Sequence, residues 1–106
     1  MRAVMHELRR SLPPEKVVEI ANYFPALERG IFLENWSLNE SRQEVTSAEE
    51  FANRVYGRVK AHHFRVPSLV GDVFWLWNTK LSPLKAEAIF HCLPPPLAVL
   101  WREVNG

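Results

Sequence analysis

Eight prolines divide this chain of 106 residues into short segments, and no other feature constrains the fold as strongly. They are Pro13, Pro14, Pro25, Pro67, Pro83, Pro94, Pro95 and Pro96. Proline is accepted in the first turn of a helix but breaks the helix interior. The runs between the prolines repeat apolar residues at intervals of three and four, which is helical spacing. The sequence therefore predicts one all-α domain over residues 1–106, a compact bundle of five or six short helices punctuated by prolines.

Local start signals place several of these helices. Ser47 and Glu50 form a capping box, in which each side chain accepts a hydrogen bond from the other residue's amide. This motif predicts a helix over residues 47–64. Ser82 as N-cap and Pro83 at the first helical position predict a second start.

Residues 31–46 give the weakest signal. Gly30 is a possible C-cap for a further turn or two of helix after Pro25. The polar residues that follow fit an irregular loop, a helix end or a small hairpin through Asn39-Glu40-Ser41, and the sequence leaves these three alternatives open.

Residues 12–20 resemble residues 81–89 in the order of their residue types. Both segments have a leucine, then a proline, then a lysine, and both end in an isoleucine. Helix starts share such a pattern, so we interpret the similarity as common helix-start chemistry and predict no solenoid from it.

Composition excludes several classes of protein. The formal net charge of +1 excludes a strongly polycationic or polyanionic chain, and the single cysteine, Cys92, excludes an intramolecular disulfide. The most apolar run, residues 66–79, is shorter than the roughly 18 residues that indicate a membrane span. We therefore expect a cytoplasmic protein without a membrane partner.

The tryptophans Trp75 and Trp77 provide the sharpest functional signal. Residues two apart on a helix point about 200° apart, so both are buried only if other elements surround the helix. Full enclosure is difficult in so small a domain. We therefore predict that Phe74, Trp75 and Trp77 anchor a contact with another protein or with a second copy of the chain, although core packing is the alternative for each.

Charge is unevenly distributed along the chain. Residues 28–50 carry six acidic and two basic side chains, whereas residues 51–85 carry six basic and one acidic. Arg54, Arg58, His62 and Arg65 form a basic stripe at helical spacing. We predict that Arg54, Arg58 and Arg65 are the charged rim of the contact surface. Binding of an acidic protein surface, binding of nucleic-acid phosphates and an ordinary solvated helix face are the alternatives for this stripe.

Catalytic and cofactor motifs are missing from the sequence. The four glycines are isolated, so no phosphate-binding glycine loop exists. The candidates for a metal site or a nucleophile are His6, His62, His63, His91 and Cys92. Adjacent residues on a helix point about 100° apart and do not easily share a metal.

These features together favour a small non-enzymatic protein-binding module, such as an adaptor, inhibitor or regulatory subunit. We expect no cofactor and no metal. A nucleic-acid-binding regulator is the second hypothesis, and a small enzyme or metal site that uses His and Cys is the third.

Overall fold

Seven helices follow one another in residues 1–59 and 68–106, the part of the chain that a computed structural model describes. They are α1 (Arg2–Arg10), α2 (Pro14–Tyr23), α3 (Ala26–Phe32), α4 (Ala48–Arg58), α5 (Leu69–Lys80), α6 (Pro83–Cys92) and α7 (Pro95–Asn105). The described residues contain no strand, and the Cα radius of gyration is 12.9 Å. The predicted compact all-α fold is confirmed. The described residues form seven helices rather than five or six, because Pro25 caps a separate helix, α3.

Prolines and serines begin the helices as predicted. Pro14 and Pro83 open α2 and α6, where a missing amide proton removes no intrahelical hydrogen bond. The Ser82 hydroxyl accepts a hydrogen bond from the Lys85 amide at 3.3 Å. Ser47 accepts from the Glu50 amide at 3.0 Å. The Glu50 carboxylate accepts from the Thr46 amide, one residue earlier than the capping box predicts.

Two predicted helix ends were wrong. The helix predicted over residues 47–64 ends at Arg58, because Val59 has an extended backbone with φ −89° and ψ 120°. Residues 60–64 of that prediction lie outside the described residues. Gly30 is not a C-cap but lies inside α3, which ends at Phe32 with Leu33 as its C-cap.

The segment after α3 is an irregular loop and not a hairpin. The buried Arg9 side chain holds it by donating to the carbonyl oxygens of Phe32 and Glu34 at 3.0 and 2.8 Å. Arg9 also binds the Glu40 carboxylate through Nε and Nη2. Farther along, the Gln43 amide donates to the Arg10 carbonyl oxygen at 2.9 Å. Arg9 thus provides hydrogen-bond donors to carbonyl oxygens at the end of α3 and just after it, and it fixes the loop against α1.

The chain contains an internal repeat, which extends the resemblance between residues 12–20 and 81–89. The bounds of α6 are those of α2 with 69 added to each residue number, and the same offset relates the N-caps Pro25 and Pro94 of α3 and α7. Buried residues correspond as Val4/Val73, Met5/Phe74, Leu8/Trp77, Val17/Ala86, Ile20/Ile89, Phe24/Leu93 and Phe32/Trp101. We call α1–α3 the first repeat and α5–α7 the second repeat.

The two repeats meet where α2 packs against α6. In the second repeat, α5 and α7 approach closely, since a Cβ on Gly71 would lie 3.0 Å from Val104 Cγ1. Helix α4 lies between the repeats in sequence and packs against α1 and α7. Within the described ranges α4 has no counterpart, because no helix there packs in the same way against α5 and α3.

Candidate functional site

Helix α5 separates the two predicted tryptophan anchors. Val70, Val73, Phe74 and Trp77 form its buried face, and Trp77 is 3% exposed. Trp75 points to the opposite side and is 54% exposed. The 200° relation predicted from sequence therefore places one tryptophan in the core and the other on the surface.

Phe74 and Trp77 belong to an aromatic cluster within the core. Their ring centroids lie 5.7 Å apart, and Phe24 approaches Trp77 edge-on at 5.1 Å. Trp101 lies 5.4 Å from Phe74. This corrects the prediction that Phe74 and Trp77 anchor a partner, because packing within the chain already covers them. Of the three predicted anchors, only Trp75 is available to a partner in this conformation.

The predicted basic rim is engaged with a carboxylate inside the protein. Glu7 of α1 is 1% exposed. Its Oε2 accepts a hydrogen bond from Arg54 Nη1 at 3.1 Å, and its Oε1 accepts from Arg58 Nε at 2.7 Å. Arg10 Nη1 lies 3.4 Å from the same Oε1. A buried charge requires such partners, so this cluster joins α4 to α1.

Arg54 and Arg58, which the sequence predicts as a contact rim, are thus paired with Glu7 inside the protein, although Arg58 stays exposed. The Arg54 side chain is 14% exposed and also pairs with Glu50, so little of its charge faces solvent. Arg65 and His62, which complete the stripe, lie outside the described residues. Sequence reasoning missed Glu7, although its position between Val4 and Leu8 on the apolar stripe of α1 was an available signal.

The His and Cys candidates are dispersed. His6 Nε2 lies 2.7 Å from the Ile31 carbonyl oxygen. The exposed His91 places its Nε2 3.6 Å from Glu87 Oε1. Cys92 is buried. Within residues 1–59 and 68–106, no three His, Cys, Asp or Glu side chains lie close enough to hold a metal ion. His63, like His62, is outside the described residues.

Cys92 is expected to resist alkylation in the folded protein. Burial, and the Glu19 carboxylate beside it, raise the pKa of the Cys92 thiol from 9.0 to about 11. The thiolate fraction at pH 8 then falls about 100-fold, and only the thiolate attacks iodoacetamide. We predict alkylation at least about 100-fold slower in buffer than in urea, measured by mass spectrometry. The control is the double variant Ser41→Cys, Cys92→Ser, whose thiol lies on the exposed loop and should be alkylated at similar rates in buffer and in urea. Equal rates in buffer and in urea for the natural chain would contradict the prediction.

Two clefts lie at opposite ends of the contact between α2 and α6. The large cleft has a volume of about 450 Å³ and is lined by Ser11, Leu12, Pro13, Lys16, Arg42, Glu44, Val45, His91, Cys92, Leu93, Pro94 and Pro95. The small cleft has a volume of about 70 Å³ and is lined by Met1, Phe24, Pro25, Glu28, Leu76, Trp77, Lys80 and Leu81. Sequence reasoning did not anticipate either cleft, because each is assembled from segments distant in the chain.

A family comparison assigns the chain. The profile described as Uncharacterized conserved protein (DUF2267) matches residues 1–100. The chain belongs to the DUF2267 family. Among curated proteins, none matches it significantly.

The match covers the first repeat, α4 and the second repeat as far as residue 100 of α7. In the described part of this DUF2267 chain, no helix has the length and apolar character needed to cross a membrane. The exposed Trp75 and the two clefts are among the features of its surface that need an explanation.

Proposed function

We propose that this protein is a small, non-enzymatic protein-binding module whose contact surface is the outer face of α5 around Trp75. The observation that carries the proposal is the exposure of Trp75. Trp77 and Trp101 are buried and Trp36 is half-buried, whereas more than half of Trp75 is open to solvent. Tryptophan is enriched among the residues that dominate binding energy at protein interfaces.

The neighbours of Trp75 suit such a contact. Asp72 and Thr79, one turn away on either side, are exposed and polar. A large apolar group within a polar rim is the usual arrangement of a non-obligate interface. The partner is another protein or a second copy of this chain, and the module acts as an adaptor, inhibitor or regulatory subunit in the cytoplasm.

The basic stripe gives less support to nucleic-acid binding than the sequence indicates. Phosphate binding requires cationic groups that are free to exchange counterions. Arg54 and Arg58 instead direct their guanidinium groups to buried Glu7. We therefore keep a protein as the proposed partner.

The test compares Trp75→Ala with Val99→Ala, which truncates another exposed apolar side chain, on α7. Each purified variant is used as bait in nuclease-treated host lysate, and the affinity for the captured protein, or for self-association, is then measured by ultracentrifugation. Loss of a hot-spot tryptophan costs about 2 kcal/mol or more, or about 30-fold in affinity. We expect that loss for Trp75→Ala only.

The folded state of both variants is checked by circular dichroism before binding is compared. Equal binding by Trp75→Ala and the natural chain would contradict the proposal. Capture that disappears after nuclease treatment would favour a nucleic-acid partner instead.

A further inference from the structure

The large cleft has the size and the lining of a small-molecule site. Its volume of about 450 Å³ lies within the roughly 300–1,000 Å³ of typical ligand pockets. Both repeats and the loop before α4 contribute apolar residues to it, which are Leu12, Pro13, Val45, Cys92, Leu93, Pro94 and Pro95. Leu12, Cys92 and Leu93 are buried and form its floor. The floor therefore suits the apolar part of a ligand, and the charged groups that could bind its polar part lie at the rim.

Two cationic side chains at the rim are available to a ligand. Arg42 is exposed, and its guanidinium group forms no hydrogen bond or ion pair with the described residues. Lys16 Nζ lies 3.5 Å from Glu19 Oε1. The Glu19 carboxylate also accepts a hydrogen bond from the Tyr23 hydroxyl at 3.1 Å, so it keeps a donor when Lys16 turns towards a ligand.

The charge at the rim favours an anion over a cation. Lys16 and Arg42 carry permanent positive charges, whereas among the described residues that line the cleft Glu44 has the one carboxylate. His91 also lines the cleft, but its Nε2 lies 3.6 Å from Glu87, so it changes this balance little. An anionic group between Lys16 and Arg42 would thus gain more attraction than a cationic group beside Glu44.

The loop that carries Arg42 is fixed to the helices on both sides of the cleft wall. The Gln43 amide donates to the Arg10 carbonyl oxygen at 2.9 Å. Arg54 Nη2 donates to the Glu44 carbonyl oxygen at 3.3 Å. Because these bonds already hold residues 42–45, a ligand does not have to order this wall of the cleft when it binds.

We propose that the large cleft binds a small organic carboxylate that has an apolar chain or ring. The planar guanidinium group of Arg42 matches a carboxylate, with which it can form two parallel hydrogen bonds. Lys16 adds a second positive charge, and the apolar body of the ligand lies along Leu12 and Leu93. Trp75 does not line the cleft, so this inference does not rest on the proposed function.

The test uses octanoate as the probe and the natural full chain at low salt. The backbone 1H–15N signals of Ser11, Leu12 and Leu93 report on the cleft. The indole signal of Trp75 reports on non-specific binding to exposed apolar surface. We expect the three cleft signals to shift and saturate with increasing octanoate, while the Trp75 indole signal stays in place.

Two matched probes separate the contributions of charge and of apolar contact. Octylammonium has the same chain with the opposite charge, and acetate has the carboxylate without the chain. Both are expected to bind at least about 10-fold more weakly than octanoate. Octylammonium places a positive charge beside Lys16 and Arg42, and acetate buries almost no apolar surface against the floor.

Two variants on the same loop locate the charged contact. Arg42→Gln removes the proposed partner of the carboxylate and should weaken octanoate binding about 5-fold, the upper range for an exposed ion pair. Glu44→Gln removes the opposing charge and should leave octanoate binding unchanged or strengthen it. Both positions are exposed, so neither change puts the fold at risk.

Four outcomes would overturn the inference. They are cleft signals that do not shift at about 10 mM octanoate, a Trp75 indole signal that shifts together with them, octylammonium or acetate binding as tightly as octanoate, and equal octanoate affinities of Arg42→Gln and Glu44→Gln. The proposed function is tested separately by Trp75→Ala, so either proposal can fail while the other stands.

Discussion

Replacing the buried Glu7 by glutamine, Glu7→Gln, is expected to lower the free energy of unfolding by about 3–5 kcal/mol. Glutamine has nearly the same shape but no charge. Arg54 and Arg58 then lose their shared counter-charge at 3.1 and 2.7 Å while α4 still holds them beside α1. Loss of the buried carboxylate that two arginines share is among the few causes of so large an effect. Urea unfolding followed by circular dichroism measures it.

Glu44→Gln is the matched control for this change. Glu44 lies on the exposed loop before α4, and its carboxylate accepts no hydrogen bond from the described residues. Its replacement should alter the free energy of unfolding by no more than about 0.5 kcal/mol. Adding Arg54→Met to Glu7→Gln should restore part of the loss, since it removes one of the two arginines that lost their counter-charge. If the two glutamine variants are equally stable, the Glu7 cluster does not hold α4 in place.

Local chemistry explains why the helix starts could be predicted and their packing could not. Ser47, Ser82 and Pro83 act within a single turn, so the sequence contains all that is needed to recognise them. Glu7 and Arg58 are 51 residues apart, and only tertiary packing brings them together. When the acidic partner of a basic stripe is distant in the chain, the sequence gives no sign of it and the stripe looks like a solvent-exposed helix face. For this reason the sequence predicts Arg54 and Arg58 at a contact surface.

The repeat was only partly visible for a related reason. Buried positions require apolar side chains of suitable volume, not particular residues. Met5 and Leu8 in the first repeat therefore correspond to Phe74 and Trp77 in the second, and only the proline-led helix starts keep a recognisable pattern. The larger aromatic pair also introduces the indole N–H that the first repeat lacks.

Helical spacing predicted that Trp75 and Trp77 face opposite ways but not which of them is outside. Phe24 and Phe74 decide this, since both pack on Trp77. The small cleft could not be predicted at all, because its walls come from the first residue, the turn between α2 and α3, and the second half of α5.

Trp101→Ala is expected to lower the free energy of unfolding by about 3–5 kcal/mol, the usual cost of truncating a large core aromatic. Trp101 is 1% exposed, and its ring lies 5.4 Å from Phe74, so alanine would leave a cavity between α5 and α7. Trp75→Ala is the matched control, with an expected loss below about 1 kcal/mol. Urea unfolding of both variants measures the difference, and equal losses would contradict the assignment of Trp75 to the surface. If Trp75→Ala keeps its stability, any binding that it loses is a property of the α5 surface and not of the fold.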